Sequence, residues 1–171
     1  LNIARKISET LTFDNYKNVI EIGPGMGMLT QFLMEKTKDL HLIEIDSDSV
    51  NYLKKHYKEK DFNLIEGDFL KLDFEKTFGS EPLAVIGNFP YNVSTQIVFK
   101  TLKNRSQIPF FSGMFQKEVA QRICESPGSK KYGILSVLTQ LFYKTELLFE
   151  VSPEVFQPKP KVVSAVIKLE R

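Results

Sequence analysis

Asn18-Val19-Ile20-Glu21-Ile22-Gly23-Pro24-Gly25-Met26-Gly27 is a β-prone, mostly apolar run that feeds directly into three alternate glycines. Leu29, Phe32 and Leu33 then begin a helical period, so the segment reads as strand, glycine loop and helix. Glycines let a backbone approach a ligand closely and adopt positive φ. The spacing is GxGxG. It lacks the third-glycine spacing of the dinucleotide fingerprint GxGxxG, and no Gly-Lys-Ser/Thr phosphate loop follows, so a pyrophosphate is not the favoured ligand.

The next apolar run outward, Leu40-His41-Leu42-Ile43, ends in Glu44-Ile45-Asp46. This places a carboxylate about 20 residues past the glycine loop, where a nucleoside ribose offers its two hydroxyls. Glu44 is the expected ribose ligand, whereas Asp46 is expected to cap a helix over Ser47 to Tyr57. A third run, Phe62-Asn63-Leu64-Ile65, leads through Gly67 to Asp68-Phe69, a pair suited to the amino group and ring of an adenine. Helix capping is the plain alternative for each of these acids; binding is the preferred reading for Glu44 and Asp68.

A fourth run, Leu83-Ala84-Val85-Ile86, is followed by Asn88-Phe89-Pro90-Tyr91. An adenine amine is a poor nucleophile because its lone pair is delocalised into the ring. A catalyst therefore gains by accepting hydrogen bonds from the NH₂ group and favouring a pyramidal nitrogen. Asn88 can accept one such bond through its side-chain oxygen, and the main-chain carbonyl next to Pro90 can accept the other. Tyr91 can stack on the flat face of a base taken from a loop or pulled from a helix. A simple turn after a strand is the bland alternative for these four residues, and the glycine loop upstream is what favours the chemical one.

The remaining pattern is α/β. A helix is expected near Ile3 to Leu11, with strands near 18–22, 40–45, 62–66, 83–88 and 109–115. Later helices are expected over Val93 to Leu102, Lys117 to Glu125 and Ile134 to Tyr143, and Thr145 to Val151 with Val162 to Leu169 form a closing antiparallel pair. Ligands then belong at the carboxyl ends of the parallel strands. The length, 171 residues, suits one domain with a substantial core. No apolar run approaches the roughly 20 residues that span a bilayer, and no signal-peptide pattern opens the chain, so a cytoplasmic protein is expected. The single cysteine, Cys124, rules out an intrachain disulfide, and His41 and His56 make no metal-ligand cluster.

Charge is more telling when divided. Residues 1–99 hold 11 Lys and Arg against 15 Asp and Glu, and residues 100–171 hold 12 against 6, so the net +2 hides −4 followed by +6. The second half is expected to face a polyanion, with Lys100, Lys103, Arg105, Lys117, Arg122, Lys130 and Lys131 as candidate phosphate contacts.

In order and spacing, Glu21 to Gly27, Glu44-Ile45-Asp46, Gly67-Asp68 and Asn88 to Tyr91 resemble the KsgA (RsmA) family of ribosomal RNA adenine dimethyltransferases. Met114 to Arg122, Tyr132 to Val137 and Phe156 to Ser164 look like that family's later blocks, so the likeness covers nearly the whole chain. The resemblance implies a Rossmann-like class I methyltransferase with a mostly parallel seven-stranded sheet and an antiparallel terminal strand. It implies S-adenosylmethionine as methyl donor and no metal. The implied target is two adjacent adenines near the 3′ end of small-subunit rRNA, within an immature ribosomal subunit and met by a monomer. Carried over by position, Gly23, Gly25, Glu44, Ile45, Asp68, Phe69 and Asn88 are cofactor contacts. Asn88, Pro90 and Tyr91 hold the target base, and Phe156 is either a second aromatic wall or a core residue before a strand. The family usually has Leu or Ile where Phe89 stands. It also carries a segment before the first helix and a helical domain after the last strand, so residues 1–171 are expected to be the catalytic domain without them. The alternatives are an Erm-type large-subunit rRNA methyltransferase, a non-catalytic small-subunit assembly factor, or a methyltransferase for protein glutamine or DNA adenine.

Overall fold

The structure, a computed structural model, describes residues 2–58 and 61–171. In chain order the elements are α1 (Asn2–Ser8), β1 (Asn18–Ile22), α2 (Thr30–Lys36), β2 (Leu40–Glu44), α3 (Ser47–His56), β3 (Asn63–Glu66), α4 (Phe74–Phe78) and β4 (Leu83–Asn88). There follow α5 (Ser94–Lys103), β5 (Phe110–Gln116), α6 (Lys117–Cys124), α7 (Ile134–Phe142), β6 (Lys144–Val151) and β7 (Ser164–Glu170). Short 3₁₀ turns occupy Phe69–Lys71 and Pro153–Val155.

The seven strands form one sheet in the order β3-β2-β1-β4-β5-β7-β6. β1 to β5 run parallel, and β7 is antiparallel to both of its neighbours. The expected mostly parallel sheet is therefore present, and the last strand of the chain is its antiparallel member. β7 does not close the sheet at its edge: it inserts between β5 and β6, leaving β6 outermost. α1 stops at Ser8, short of the expected Leu11, where the Thr10 hydroxyl donates to the Ile7 carbonyl at 2.7 Å. Such a local side-chain bond competes with the next helical turn.

Strand parity sorts the core into two layers. On β4, Leu83 and Val85 face one side and Ala84 and Ile86 the other; on β5, Phe111 and Phe115 oppose Phe110 and Met114. The first side is covered by α4 to α7 through Phe74, Ile97, Val98, Ala120, Ile123 and Leu135. The second is covered by α1, α2 and α3 through Ile7, Leu33 and Leu53. With both faces covered, β1 and β4 are almost continuously apolar, which makes the one charged residue within β1, Glu21, conspicuous.

Asp46 caps α3 as expected, accepting from the Ser49 amide at 2.8 Å and from its hydroxyl at 2.7 Å. Asp46→Ala is expected to lower the melting temperature by roughly 2–4 °C in a thermal melt, the usual effect of losing one N-cap in a chain of this size.

Candidate functional site

From β1 the chain moves outward through β2 to β3, then returns to place β4 on the other side of β1. The connections thus diverge at the carboxyl ends of β1 and β4, where an open α/β sheet leaves a crevice. A cavity of about 570 Å³ lies there. Glu21, Gly23, Pro24 and Gly25 line it from β1 and its loop, Asn88 and Met114 from β4 and β5, and Val155, Phe156 and Gln157 from the segment before β7. α1 closes another side through Asn2, Ile3, Ala4 and Ile7.

Gly23 and Gly25 have φ of +64° and +55°, and no heavy atom lies within 4 Å of where a side chain would begin, so the loop presents bare backbone. Its shape is fixed from below. The Gly25 amide donates to Glu44 Oε2 at 2.9 Å and the Asp46 amide to Oε1 at 3.0 Å. Glu44 is buried, and these two bonds use about half of the roughly four lone-pair sites of its carboxylate. The residue predicted to hold a ribose also braces the glycine loop, two tasks one carboxylate can combine.

Glu21 lines the cavity and was not singled out by sequence reasoning, although a carboxylate inside a buried strand was the signal. Burial pushes its pKa up to about 8, the neighbouring Glu44 charge adds to the rise, and the Thr30 hydroxyl, donating at 2.6 Å, opposes it. Its carboxyl is therefore largely neutral at pH 7 and borders the cavity.

The third strand end contributes less than expected. Asp68 Oδ1 accepts from the Leu70 amide at 2.9 Å and caps the 3₁₀ turn, realising its plain reading with one oxygen left over. The Phe69 ring is buried edge-on against Phe74, which leaves only its main chain to offer a ligand. Ile45, by contrast, projects from the end of β2 with 69% of its surface exposed. Glu44, Ile45, Asp68 and Phe69 all lie outside the lining of the 570 Å³ cavity, so of the predicted cofactor contacts it is Gly23, Gly25 and Asn88 that line it.

The Asn88 to Tyr91 segment is held by its second residue. Phe89 turns back into the core, stacked on Phe111 with centroids 5.1 Å apart and tilted against Phe115 at 4.9 Å. Its amide donates to the Met114 carbonyl at 3.2 Å, and the Pro90 carbonyl accepts from the Val93 amide at 3.2 Å. The Phe89 carbonyl, directly before Pro90, has no donor among the described residues, and neither does the exposed Asn88 side chain. Two acceptors on successive residues are thus left without a donor among the described residues. Tyr91 is fixed by a 2.7 Å hydrogen bond between its hydroxyl and Ser164 Oγ. A second depression, of about 330 Å³, is lined by Asn88, Pro90, Tyr91, Phe156, Gln157 and Pro158. Asn88, Phe156 and Gln157 belong to both hollows, so the strand end of β4 is where they meet.

Most of the candidate phosphate-binding cations are otherwise engaged. Lys100 donates to the Leu72 carbonyl at 2.6 Å, Arg105 lies 4.0 Å over the Phe142 ring and Lys117 pairs with Glu150 at 2.9 Å. Lys100, Lys103 and Arg105 also sit at the end of α5 away from Tyr91.

The sequence profile of the ribosomal RNA adenine dimethylase family matches residues 1–171. The chain is 55% identical over 170 residues to "Ribosomal RNA small subunit methyltransferase A" of Flavobacterium johnsoniae, covering 99% of this chain and 65% of that one. It therefore spans just under two thirds of that relative's length. Among solved structures it resembles a dimethyladenosine transferase from Plasmodium falciparum at 31% identity and TM-score 0.84, covering 99% of this chain and 61% of that one. It also resembles the 23S rRNA methyltransferase ErmE at 28% identity and TM-score 0.83, covering 99% and 67%. Among the described residues no helix is long and apolar enough to cross a membrane.

Proposed function

Because the chain belongs to the ribosomal RNA adenine dimethylase family, we propose that it transfers methyl groups from S-adenosylmethionine to the exocyclic N6 amine of two adjacent adenines near the 3′ end of small-subunit rRNA. The proposed partner is an immature small ribosomal subunit in the cytoplasm. The observation that carries this reading is the position of Asn88, which lines both the cavity beside the glycine loop and the depression walled by Tyr91 and Phe156. A donor in the first hollow and a base in the second would meet at that side chain. Identity to the small-subunit methyltransferase is well above that to the 23S rRNA enzyme, which favours the small subunit as the target.

The cavity suits the cofactor. Its volume lies within the usual range of small-molecule sites, and the bare Gly23 and Gly25 backbone admits a close approach. Glu21 in its lining is a buried carboxyl suited to an ammonium, and Glu44, outside the lining and bonded to the Gly25 and Asp46 amides, keeps acceptor capacity for hydroxyl groups. S-adenosylmethionine, when bound, supplies an electrophilic methyl group. Asn88 Oδ1 and the Phe89 carbonyl accept the two N–H bonds of the target amine and aim its lone pair. Tyr91 and Phe156 hold the ring between them, so catalysis is chiefly positioning. The lining of the depression contains no carboxylate or histidine, and the surplus amine proton leaves to water.

Glu21 makes cofactor binding pH-dependent in a defined direction. Below about pH 8 the free protein holds a proton on Glu21; an ammonium beside it favours the carboxylate, so binding at pH 7 releases that proton. Affinity should rise with pH by up to about tenfold per unit and level off near pH 8. Calorimetric titrations in buffers of different ionisation heat check this, and Glu21→Gln should flatten the profile. If no proton is released at pH 7, Glu21 does not face the ammonium. Without cofactor the linkage runs the other way. The raised pKa means that stability falls as pH climbs from the ordinary carboxylate value of 4.5 toward 8.

The function itself is tested by methyl transfer from labelled S-adenosylmethionine to unmethylated small and large ribosomal subunits, using the full-length protein and nucleoside mass spectrometry. Dimethyladenosine confined to small-subunit RNA is the expected product. Absence of transfer to either subunit would overturn the enzymatic reading and leave a binding role.

A further inference from the structure

We propose that the groove between α5, α6 and the 125–133 connection holds the single-stranded RNA flanking the target base, an inference that rests on the RNA-methyltransferase reading above. The groove begins close to the site in the chain: Thr95, the second residue of α5 and four residues after Tyr91, lines it. Its floor is apolar and aromatic. Phe99 is 40% exposed, Ile134 is 69% exposed, and Tyr132, which lines the same groove, is half-buried. Its rim is cationic, formed by Arg122, Lys130 and Lys131. Glu118, the one acid in the lining, is already paired with Arg122 at 2.8 Å.

This combination matches the chemistry of a single strand rather than a duplex or a protein. Bases without partners stack on aromatic side chains, and a cationic rim follows the phosphates. An apolar protein segment would be served by the floor but not by two adjacent lysines without an acidic partner among the described residues. Lys130 has no hydrogen-bond or ion-pair partner among the described residues, and Lys131 bonds only the neutral Gln121. Both are exposed and available. At the far end of α5, Lys100 is held by the Leu72 carbonyl and Arg105 by the Phe142 ring, so the groove is where unengaged cations of the positive second half lie nearest the site in the chain.

The test uses the full-length protein carrying Lys130→Glu with Lys131→Glu, and separately, as a control, Lys38→Glu, an exposed lysine before the start of β2 and so at the end of the parallel strands opposite the site. With unmethylated small subunits as substrate, the double variant should raise KM about tenfold and leave kcat near wild type. Its binding to an unstructured oligoribonucleotide should depend less on salt, with the slope of log K against log salt shallower by about 1.4 for two lost phosphate contacts. Lys38→Glu should change neither. As a second measurement, 4-thiouridine placed next to the target adenine should cross-link to Tyr132 or Phe99 in the wild-type protein. An active wild type whose KM, salt slope and cross-links are indifferent to the groove would overturn this inference while sparing the proposed function. A wild type that methylates no RNA would remove the function first. Loss of binding to assembled subunits with naked RNA binding intact would assign the groove to a ribosomal protein instead.

Discussion

Asn88→Ala is expected to lower the turnover of methyl transfer by about 10²–10³-fold, the scale seen when one preorganised hydrogen-bonding group is removed from a reacting centre. The side chain is exposed and bonds nothing within the described residues, so the melting temperature should stay within about 1 °C of wild type. RNA affinity should also persist, because Tyr91, Phe156 and the cationic rim are untouched. The separation matters: a kcat loss with KM and fold intact identifies a group that acts on the amine. Single-turnover kinetics with saturating RNA measures it. A loss under about tenfold would mean that the Phe89 carbonyl alone orients the nitrogen.

Gly113→Ala should be the most damaging substitution for the fold. Gly113 pairs in register with Gly87 across β5 and β4, and the Phe89 ring lies over both. A methyl group at Gly113 would stand 2.2 Å from the Gly87 carbonyl oxygen and 2.4 Å from the Phe89 ring. The oxygen belongs to a central strand and cannot give way. The ring can move only by leaving its stack with Phe111 and Phe115, which would drag Asn88 and Pro90 out of place. Overpacking of this kind costs about 3 kcal/mol or more, equivalent to a fall of roughly 6–12 °C in melting temperature. The folded fraction should also turn over more slowly, because the tetrapeptide has moved. A thermal melt within about 2 °C of wild type would show that the two strands can part without cost. The same clash explains the phenylalanine that replaces the smaller residue expected at position 89: two facing glycines make the room it fills.

The sheet was legible because its signals are local. Each of β1 to β5 is a short apolar run ended by a glycine or a polar residue, and chain parity alone assigns Val85 and Ala84 to opposite layers. Asp46 could be read as a cap because an N-cap acts within three residues. What was not legible has the opposite property. Asp68 and Phe69 follow a strand end as binding residues would, yet the fold turns Phe69 into the core and uses Asp68 to cap the turn it starts. The positive second half was visible in the composition, whereas the capture of Lys100, Arg105 and Lys117 by a carbonyl, a ring and a glutamate required partners that lie up to 37 residues away in the chain.

By itself, then, the sequence determined the strand–glycine loop–helix start, the parallel α/β order and the Asn88 to Tyr91 segment at the end of β4, since these depend on residue type and short spacing. Only the tertiary structure decided that Asn88 joins two hollows, that Glu21 is a buried and largely neutral carboxyl, that Glu44 braces the loop it was expected to serve, and that β7 enters the sheet between β5 and β6. Burial, charge state and the meeting of distant segments arise from packing, and packing is a property of all the elements together.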